Sequence, residues 1–383
     1  MQELLDAFQQ RFGAAPQALA AAPGRLEILG NHTDYNEGVV LSCAVDRRTV
    51  VALAPNGSRR VRFYDLRADQ EGEFALDGLR LPLRPKWLGY PAGVISELAR
   101  RGATPGGFDA VLSSDVPLSA GMSSSAALET AILLALCAAF HLEYPKEELA
   151  RIGQGVENNF LGLKTGLLDQ FSSIFGIAGR MILSDFRTVA VTGSAPLAPG
   201  YAILVVNSMR KHNLVDSAYN ERRFSCEEAA RKLRARFPAV KTLRDVTSAM
   251  LADSRSILSA KEFRRASHVV GECERVQRAM ALLEQGDMTG FGALWFASHA
   301  SSRENFENSA PELDFLVECA QNIPGCLGAR LSGGGFGGIT IHLVAEAMLE
   351  PYREEIQAKF RERYDIVPET IVCRPGQGAH CLK

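Results

Sequence analysis

Residues 117–127 read Pro-Leu-Ser-Ala-Gly-Met-Ser-Ser-Ser-Ala-Ala and lead directly into the most apolar stretch of the chain, Ala126 to Leu142. No other feature restricts the fold and the chemistry as much. Small residues let a backbone come close to an oxyanion. Serines at a helix start add hydroxyls to unpaired backbone N–H groups, and the helix dipole favours negative charge there. A simple serine cap would need one serine, and this segment has three in a row. The combination is a cradle for phosphate. The helix behind it contains Glu129 and His141 and is too short to span a membrane, so it reads as a buried core helix.

The common phosphate-binding signatures are missing. The pattern G-x-x-x-x-G-K-[ST] occurs nowhere, and neither H-R-D nor D-F-G is present. Gly333–Gly338 formally matches G-x-G-x-x-G, but a dinucleotide site needs a helix next, and the β-branched run from Ile339 follows instead. What remains there is a tight turn, or a backbone that something approaches closely. Lys and Arg number 42 against 44 Asp and Glu. That balance argues against non-specific binding to nucleic acid or to an anionic membrane. The eight cysteines contain no C-x-x-C and no zinc spacing, so they read as reduced thiols of a cytoplasmic protein. Met1 to Asp6 lacks the basic and apolar segments of a signal peptide.

Hydrophobic periodicity gives an α+β chain. A first helix fits residues 2–12, with Leu4, Leu5, Phe8 and Phe12 on one face. Short β-type runs follow at 25–29, 39–41, 49–53 and 61–64, then a helix at 87–101 and a strand at 108–112. A second helix pattern covers about 146–161. The segment Thr192–Gly200, rich in Gly, Ala and Pro, is the expected domain boundary. Beyond it a β-type run at 202–207 opens a more helical half, with long helices near 214–237 and 261–284.

Two further groups carry chemistry. Asn31-His32-Thr33-Asp34-Tyr35-Asn36, between two strand-like runs, suits either recognition of a polyol or a hydrogen-bonded turn. Glu157 and Asp169 lie twelve residues apart in or beside apolar surroundings. A carboxylate beside phosphates wants a divalent cation, and a second can orient or deprotonate a hydroxyl. Surface solvation is the default for either acid alone.

Taken together, these segments resemble a known family. Pro23 to Gly38 is similar to the galactokinase signature, and Pro117 to Glu129 and Arg330 to Gly338 resemble the second and third motifs of the GHMP small-molecule kinases. Lys164 to Phe171, Ser298 to Arg303, Pro311 to Asp314 and Arg374 to Ala379 extend the similarity over nearly the whole chain. The resemblance implies a two-lobed GHMP kinase fold with the active site between an N-terminal domain, 1–195, and a C-terminal domain, 196–383, whose last residues pack back on the first lobe. It implies ATP and Mg²⁺, and transfer of phosphate to the anomeric hydroxyl of galactose. It places Trp87 and Tyr90 beside adenine and wraps Ser119, Ala120, Gly121, Met122, Ser123, Ser124, Ser125 and Ala126 around the phosphates. Ser125 (or Ser124) and Glu157 would hold the metal. Arg25, Asn31, His32, Asp34, Gly166, Asp169 and Tyr219 match sugar-contacting positions, with Asp169 and Arg25 as the catalytic pair.

The sequence departs from the family's pattern in three places, two single residues and one pair. Asn31 stands where Glu is usual, Glu27 where Asn is frequent, and Ser119-Ala120 replace a more glycine-rich pair. The first bears on recognition at C6 of the sugar. The expected partners are galactose and ATP, with no nucleic acid and no membrane, and the chain is expected to act as a monomer in the cytoplasm. Two alternatives stand beside this reading. One is a related hexose or uronate 1-kinase with altered C6 specificity. The other is an inactive sensor of sugar and ATP.

Overall fold

The computed structural model describes residues 1–118, 121–211 and 215–382. Among the described residues twelve strands form two sheets. The first contains β1 (Ala18–Leu29), β2 (Val39–Pro55), β3 (Arg60–Asp65), β4 (Gln70–Ala75), β5 (Phe108–Ser114), β6 (Arg180–Asp185) and β7 (Ala190–Pro196). The second contains β8 (Tyr201–Lys211), β9 (Cys326–Ser332), β10 (Gly337–Ala345) and β11 (Glu369–Cys373). The last strand, β12 (His380–Cys381), returns to the first sheet.

The larger sheet runs β12-β1-β2-β5-β3-β4, with β6 and β7 attached to the other end of β2. Its pairings are antiparallel except for β3 with β5. The smaller sheet is antiparallel, in the order β11-β8-β10-β9. The chain changes sheets between Pro196 and Tyr201. The β10 pairing also disposes of the dinucleotide reading, because Gly333–Gly338 joins strand to strand.

The first sheet packs against the helices Gly89–Arg100, Ser124–Ala139 and Leu168–Phe175 around buried Val51, Phe63, Leu98, Leu133 and Phe171. The helix Ser124–Ala139 fills that interior with alanine and leucine, as its apolar sequence requires. A second cluster joins the lobes: Leu26, Ile28, Leu41 and Met122 meet Ile203, Phe291, Trp295 and Ile341 in one continuous core. The lobes are therefore fused along β1, and the functional cleft opens at the rim of that seam.

β1 is longer than the periodicity suggested. Its first half, Ala-Leu-Ala-Ala-Ala-Pro-Gly, has small residues in place of β-branched ones, and the register with β2 shifts between Pro23 and Arg25. That irregularity has a use. A Cβ on Gly24 would lie 2.6 Å from the Met122 carbonyl, so only glycine lets the serine-rich loop come this close. The Arg25 N–H then donates to the same carbonyl at 3.1 Å. The helix expected over 146–161 ends at Gly155 and continues as one wider turn, Val156–Phe160, which contains Glu157. Such turns within helices recur at functional sites.

Candidate active site

Arg25 and Asp169 meet at the centre of the cleft. Arg25 Nε and Nη2 donate to Asp169 Oδ1 at 2.8 and 2.7 Å, and Nη1 donates to the Gly121 carbonyl at 2.7 Å. Asp169 lies in the first turn of the helix Leu168–Phe175, where the dipole favours a carboxylate. Its second oxygen, Oδ2, accepts from the Ser123 hydroxyl. Ser123 precedes the apolar helix with φ +53°, and its side chain makes no capping bond. Ser123 is tied to Asp169 and caps nothing. Ser119 and Ala120 lie outside the described residues.

On one side of this pair is a cavity of about 170 Å³ lined by Arg25, Glu27, Asn31, His32, Asp34, Thr165, Gly166, Leu168, Asp169, Tyr219, Gly333 and Gly334. All seven sugar-contacting candidates fall here, gathered from β1, the following loop, the 165–169 turn and the helix Val215–Arg236. On the other side a broader recess is lined by Arg25, Gly121, Ser123, Asp169, Arg210 and the glycine-rich turn from Ser332 to Ile339. The Arg25–Asp169 pair therefore stands between a small polar chamber and a glycine-lined recess.

The 31–36 segment is both of the things the sequence allowed. It is a hydrogen-bonded turn, with Thr33 Oγ1 donating to the Gly30 and Val39 carbonyls at 2.8 Å, and it also lines the polar chamber. Burial lowers the His32 imidazole to about 3, so it is neutral. Nε2 donates to the Gly334 carbonyl at 3.1 Å, which leaves Nδ1 to accept from the Tyr35 hydroxyl at 2.8 Å. Burial raises the Asp34 carboxyl to about 7, and the charges of Glu27 and Asp169 push the same way. Asp34 presses against Gly166, where an added Cβ would sit 1.6 Å from Oδ2. The Asn31 amide is already engaged: Nδ2 donates to Glu27 Oε1 at 2.9 Å and to the Gly333 carbonyl at 2.8 Å, and Oδ1 accepts from Asn308 Nδ2 at 2.9 Å.

Glu157 is buried, which corrects the default of a solvated acid. Its Oε1 accepts from the Ser125 hydroxyl at 3.2 Å and its Oε2 from Thr165 Oγ1 at 2.6 Å. Burial, reinforced by the charge of Asp169, raises its carboxyl above the ordinary range. Among the described residues no basic side chain forms an ion pair with it. A buried carboxylate beside a hydroxyl, all oxygen donors and short of positive charge, fits a hard cation such as Mg²⁺ held jointly with phosphates. Among the described residues no cluster of three His, Cys, Asp or Glu could hold a metal unaided. Tyr90 lies beside Ser125, while Trp87 meets Phe63 edge-on at 5.6 Å and donates Nε1–H to Gln70 at 2.8 Å.

Several residues that shape the site were not singled out from sequence. Glu272, on the helix Ala260–Gln285, accepts the Gly30 and Asn31 N–H groups at 2.8 and 2.9 Å. Burial opposes its charge, but Arg275 and Arg330 outweigh it and hold the carboxyl well below its usual range. Asn308 Nδ2 reaches both Asn31 and the Gly334 carbonyl. Arg330, fully buried, donates to Glu27 Oε1 at 3.0 Å and to the Ile28 carbonyl at 2.7 Å. The contacts with the 27–31 segment span 240 residues or more in sequence; Arg330 opens the third motif, and no local pattern marks Glu272 or Asn308.

Family comparisons agree with this geometry. Models described as "GHMP kinases N terminal domain" and "GHMP kinases C terminal" match residues 89–177 and 279–366, which defines the class as a GHMP small-molecule kinase. A third, "Galactokinase galactose-binding signature", matches residues 6–55. Galactokinase of Roseiflexus sp. (strain RS-1) is 39% identical over 98% of this chain and 96% of its own length. Galactokinase of Chloroflexus aggregans is 38% identical over the same shares of the two chains. The crystal structure of Lactococcus lactis galactokinase complexed with galactose superposes with a TM-score of 0.93 at 30% identity, covering 100% of this chain and 99% of that one. The chain belongs to the galactokinase family. Mevalonate kinase of Methanococcus jannaschii shares the fold, with a TM-score of 0.64 at 16% identity over 94% of this chain and 99% of that one.

Proposed function

We propose that this chain transfers the γ-phosphoryl group of ATP to the anomeric C1 hydroxyl of galactose, giving galactose 1-phosphate and ADP. The observation that carries the reading is the Arg25–Asp169–Ser123 junction between a sugar-sized polar chamber and a glycine-lined recess. The C1 hydroxyl gives its proton to Asp169 Oδ2, or is aligned by it. The C1 oxygen bonds to the γ-phosphorus, and the bond from that phosphorus to the bridging oxygen breaks, leaving ADP. Arg25 places positive charge beside the moving group. Positioning and electrostatics dominate phosphoryl transfer, so this short list of groups is sufficient.

The helix start from Gly121 to Ala126, with Ser119 and Ala120, holds the β- and γ-phosphates, and Trp87 and Tyr90 flank adenine. Ser125 and Glu157 would hold Mg²⁺, which when bound neutralises charge on the phosphates. Asn31, His32, Asp34, Gly166 and Tyr219 shape the sugar chamber. The sugar motif, phosphate loop and Asp169 belong to one domain, 1–195, and the glycine-rich turn to a second, 196–383. Eight unpaired cysteines suit a reducing cytoplasm.

The test is ADP release from ATP across a panel of hexoses. Galactose should give the highest kcat/KM. No sugar-dependent release, or faster turnover of galacturonate or N-acetylgalactosamine, would overturn the reading.

A further inference from the structure

One carboxylate in the sugar chamber has no role in the account above. Glu27 lies two residues beyond Arg25 on β1, so the two side chains leave the same face of the strand, about 7 Å apart along it. Glu27 is only 4% exposed, yet it lines the chamber. Among the described residues every hydrogen bond to its side chain falls on one oxygen. Oε1 takes Asn31 Nδ2 at 2.9 Å and Arg330 Nη2 at 3.0 Å. Oε2 takes none. A carboxylate oxygen that faces a chamber and takes no donor from the protein is free to accept from what fills that chamber, and for a polyol the natural donor is a hydroxyl.

Asn31 is in the opposite position. Both of its amide N–H groups are committed, to Glu27 and to the Gly333 carbonyl, and its oxygen already accepts from Asn308. Its backbone is fixed as well, with the N–H on Glu272 and the carbonyl on His268 at 3.1 Å. Asn31 cannot donate to a sugar without breaking a bond that holds the lobes together. What it does is fix Glu27 Oε1 in place and, with Arg330, turn the carboxylate so that one oxygen stays unspent.

We propose that Glu27 is a specificity-determining residue of this pocket, its unpaired Oε2 accepting a hydrogen bond from one hydroxyl on the side of the sugar away from the anomeric carbon, with Asn31 and Arg330 as the residues that position it. The proposal rests on galactose being the substrate. The far side follows from the strand: Arg25 and Asp169 fix the reacting end, and Glu27 stands one same-face step further along β1, about the width of a substituted pyranose ring. The C6 recognition that the sequence assigned to Asn31 thereby passes to its neighbour on β1, with the hydroxyls at C4 and C6 as the two within the geometry.

The experiment compares kcat/KM for galactose and for 2-, 3-, 4- and 6-deoxygalactose in the natural protein, in Glu27→Gln and in Glu27→Asp. Thermal unfolding reports whether each variant folds. The natural protein should lose at least fivefold on either the 4-deoxy or the 6-deoxy sugar. Exchanging a charged acceptor for a neutral one should cost Glu27→Gln roughly five- to tenfold on galactose and nothing further on that one deoxy sugar. Glu27→Asp keeps the charge but draws it back, and should show the same selective loss. An equal loss on all five sugars would mean that Glu27 serves only the Arg330 contact and would overturn the proposal. Natural-protein rates within twofold for the 4- and 6-deoxy sugars would overturn it whether or not either variant folds. Failure of the natural protein to phosphorylate galactose at all would instead overturn the function on which the proposal stands.

Discussion

Gly166→Ala is the substitution whose effect follows most directly from the geometry. Gly166 does not adopt the left-handed backbone region, so alanine fits its backbone without strain. The side chain is the difficulty: the new Cβ would lie 1.6 Å from Asp34 Oδ2 and 2.6 Å from Cγ, where real contacts essentially never fall below 3.0 Å. The Asp34 carboxylate must therefore move by more than 1 Å from the position in which it lines the proposed sugar chamber. A hydrogen bond to a charged group is worth about 1.5–3 kcal/mol, or roughly ten- to a hundredfold in affinity. Asp34 belongs to the sugar chamber and does not line the glycine-rich recess, so the penalty should fall on the sugar alone. Steady-state kinetics with each substrate varied should give a galactose KM raised ten- to a hundredfold and an ATP KM within about twofold of the natural protein. A galactose KM that stays within twofold would refute the assignment of Asp34 to the sugar.

Three other outcomes follow from the same arrangement. Asp169→Asn should lower kcat by about 10²–10⁴-fold, the usual cost of losing a general base, with ATP binding by calorimetry nearly unchanged. Glu157→Gln should raise the magnesium concentration needed for half-maximal rate far more than it raises galactose KM, and the reverse pattern in a metal titration would contradict its role. Because burial lifts the Asp34 carboxyl to about 7, the ionised acceptor is depleted as pH falls below that value. kcat/KM for galactose should accordingly fall below pH 7 and level off roughly five- to tenfold lower, the difference between a charged and a neutral acceptor, and Asp34→Asn should remove that limb.

The helix behind the serine-rich segment was legible because its signal is local: small residues and serines lead into a continuous apolar run, and the helix Ser124–Ala139 starts there. The rejection of a dinucleotide site from Ile339 onward was equally local, and β10 occupies that segment. The first half of β1 was not legible, since Ala18 to Gly24 has little β propensity and owes its strand conformation to pairing with β2. The tie from Ser123 to Asp169 was not legible, because sequence gives the residue but not its backbone; at φ +53° its hydroxyl turns to Asp169, 46 positions away. Glu272 and Asn308 could not be found at all, and Arg330 showed only as the first residue of the third motif, with no sign of its partner. Each is one polar residue on an element distant in sequence, and its role exists only once the second lobe closes on the 27–34 segment. Asn31 drew attention as a departure from the family pattern, whereas the structure gives its amide to Glu27, Gly333 and Asn308.

The position of the new phosphate on the sugar tests the account most directly. With the C1 hydroxyl at the Arg25–Asp169 pair, phosphorus-31 NMR of the product made from galactose and ATP should show a single ester coupled to the anomeric proton, formed in equal amount with ADP. A phosphate on C6, or ADP formed without any sugar ester, would contradict it.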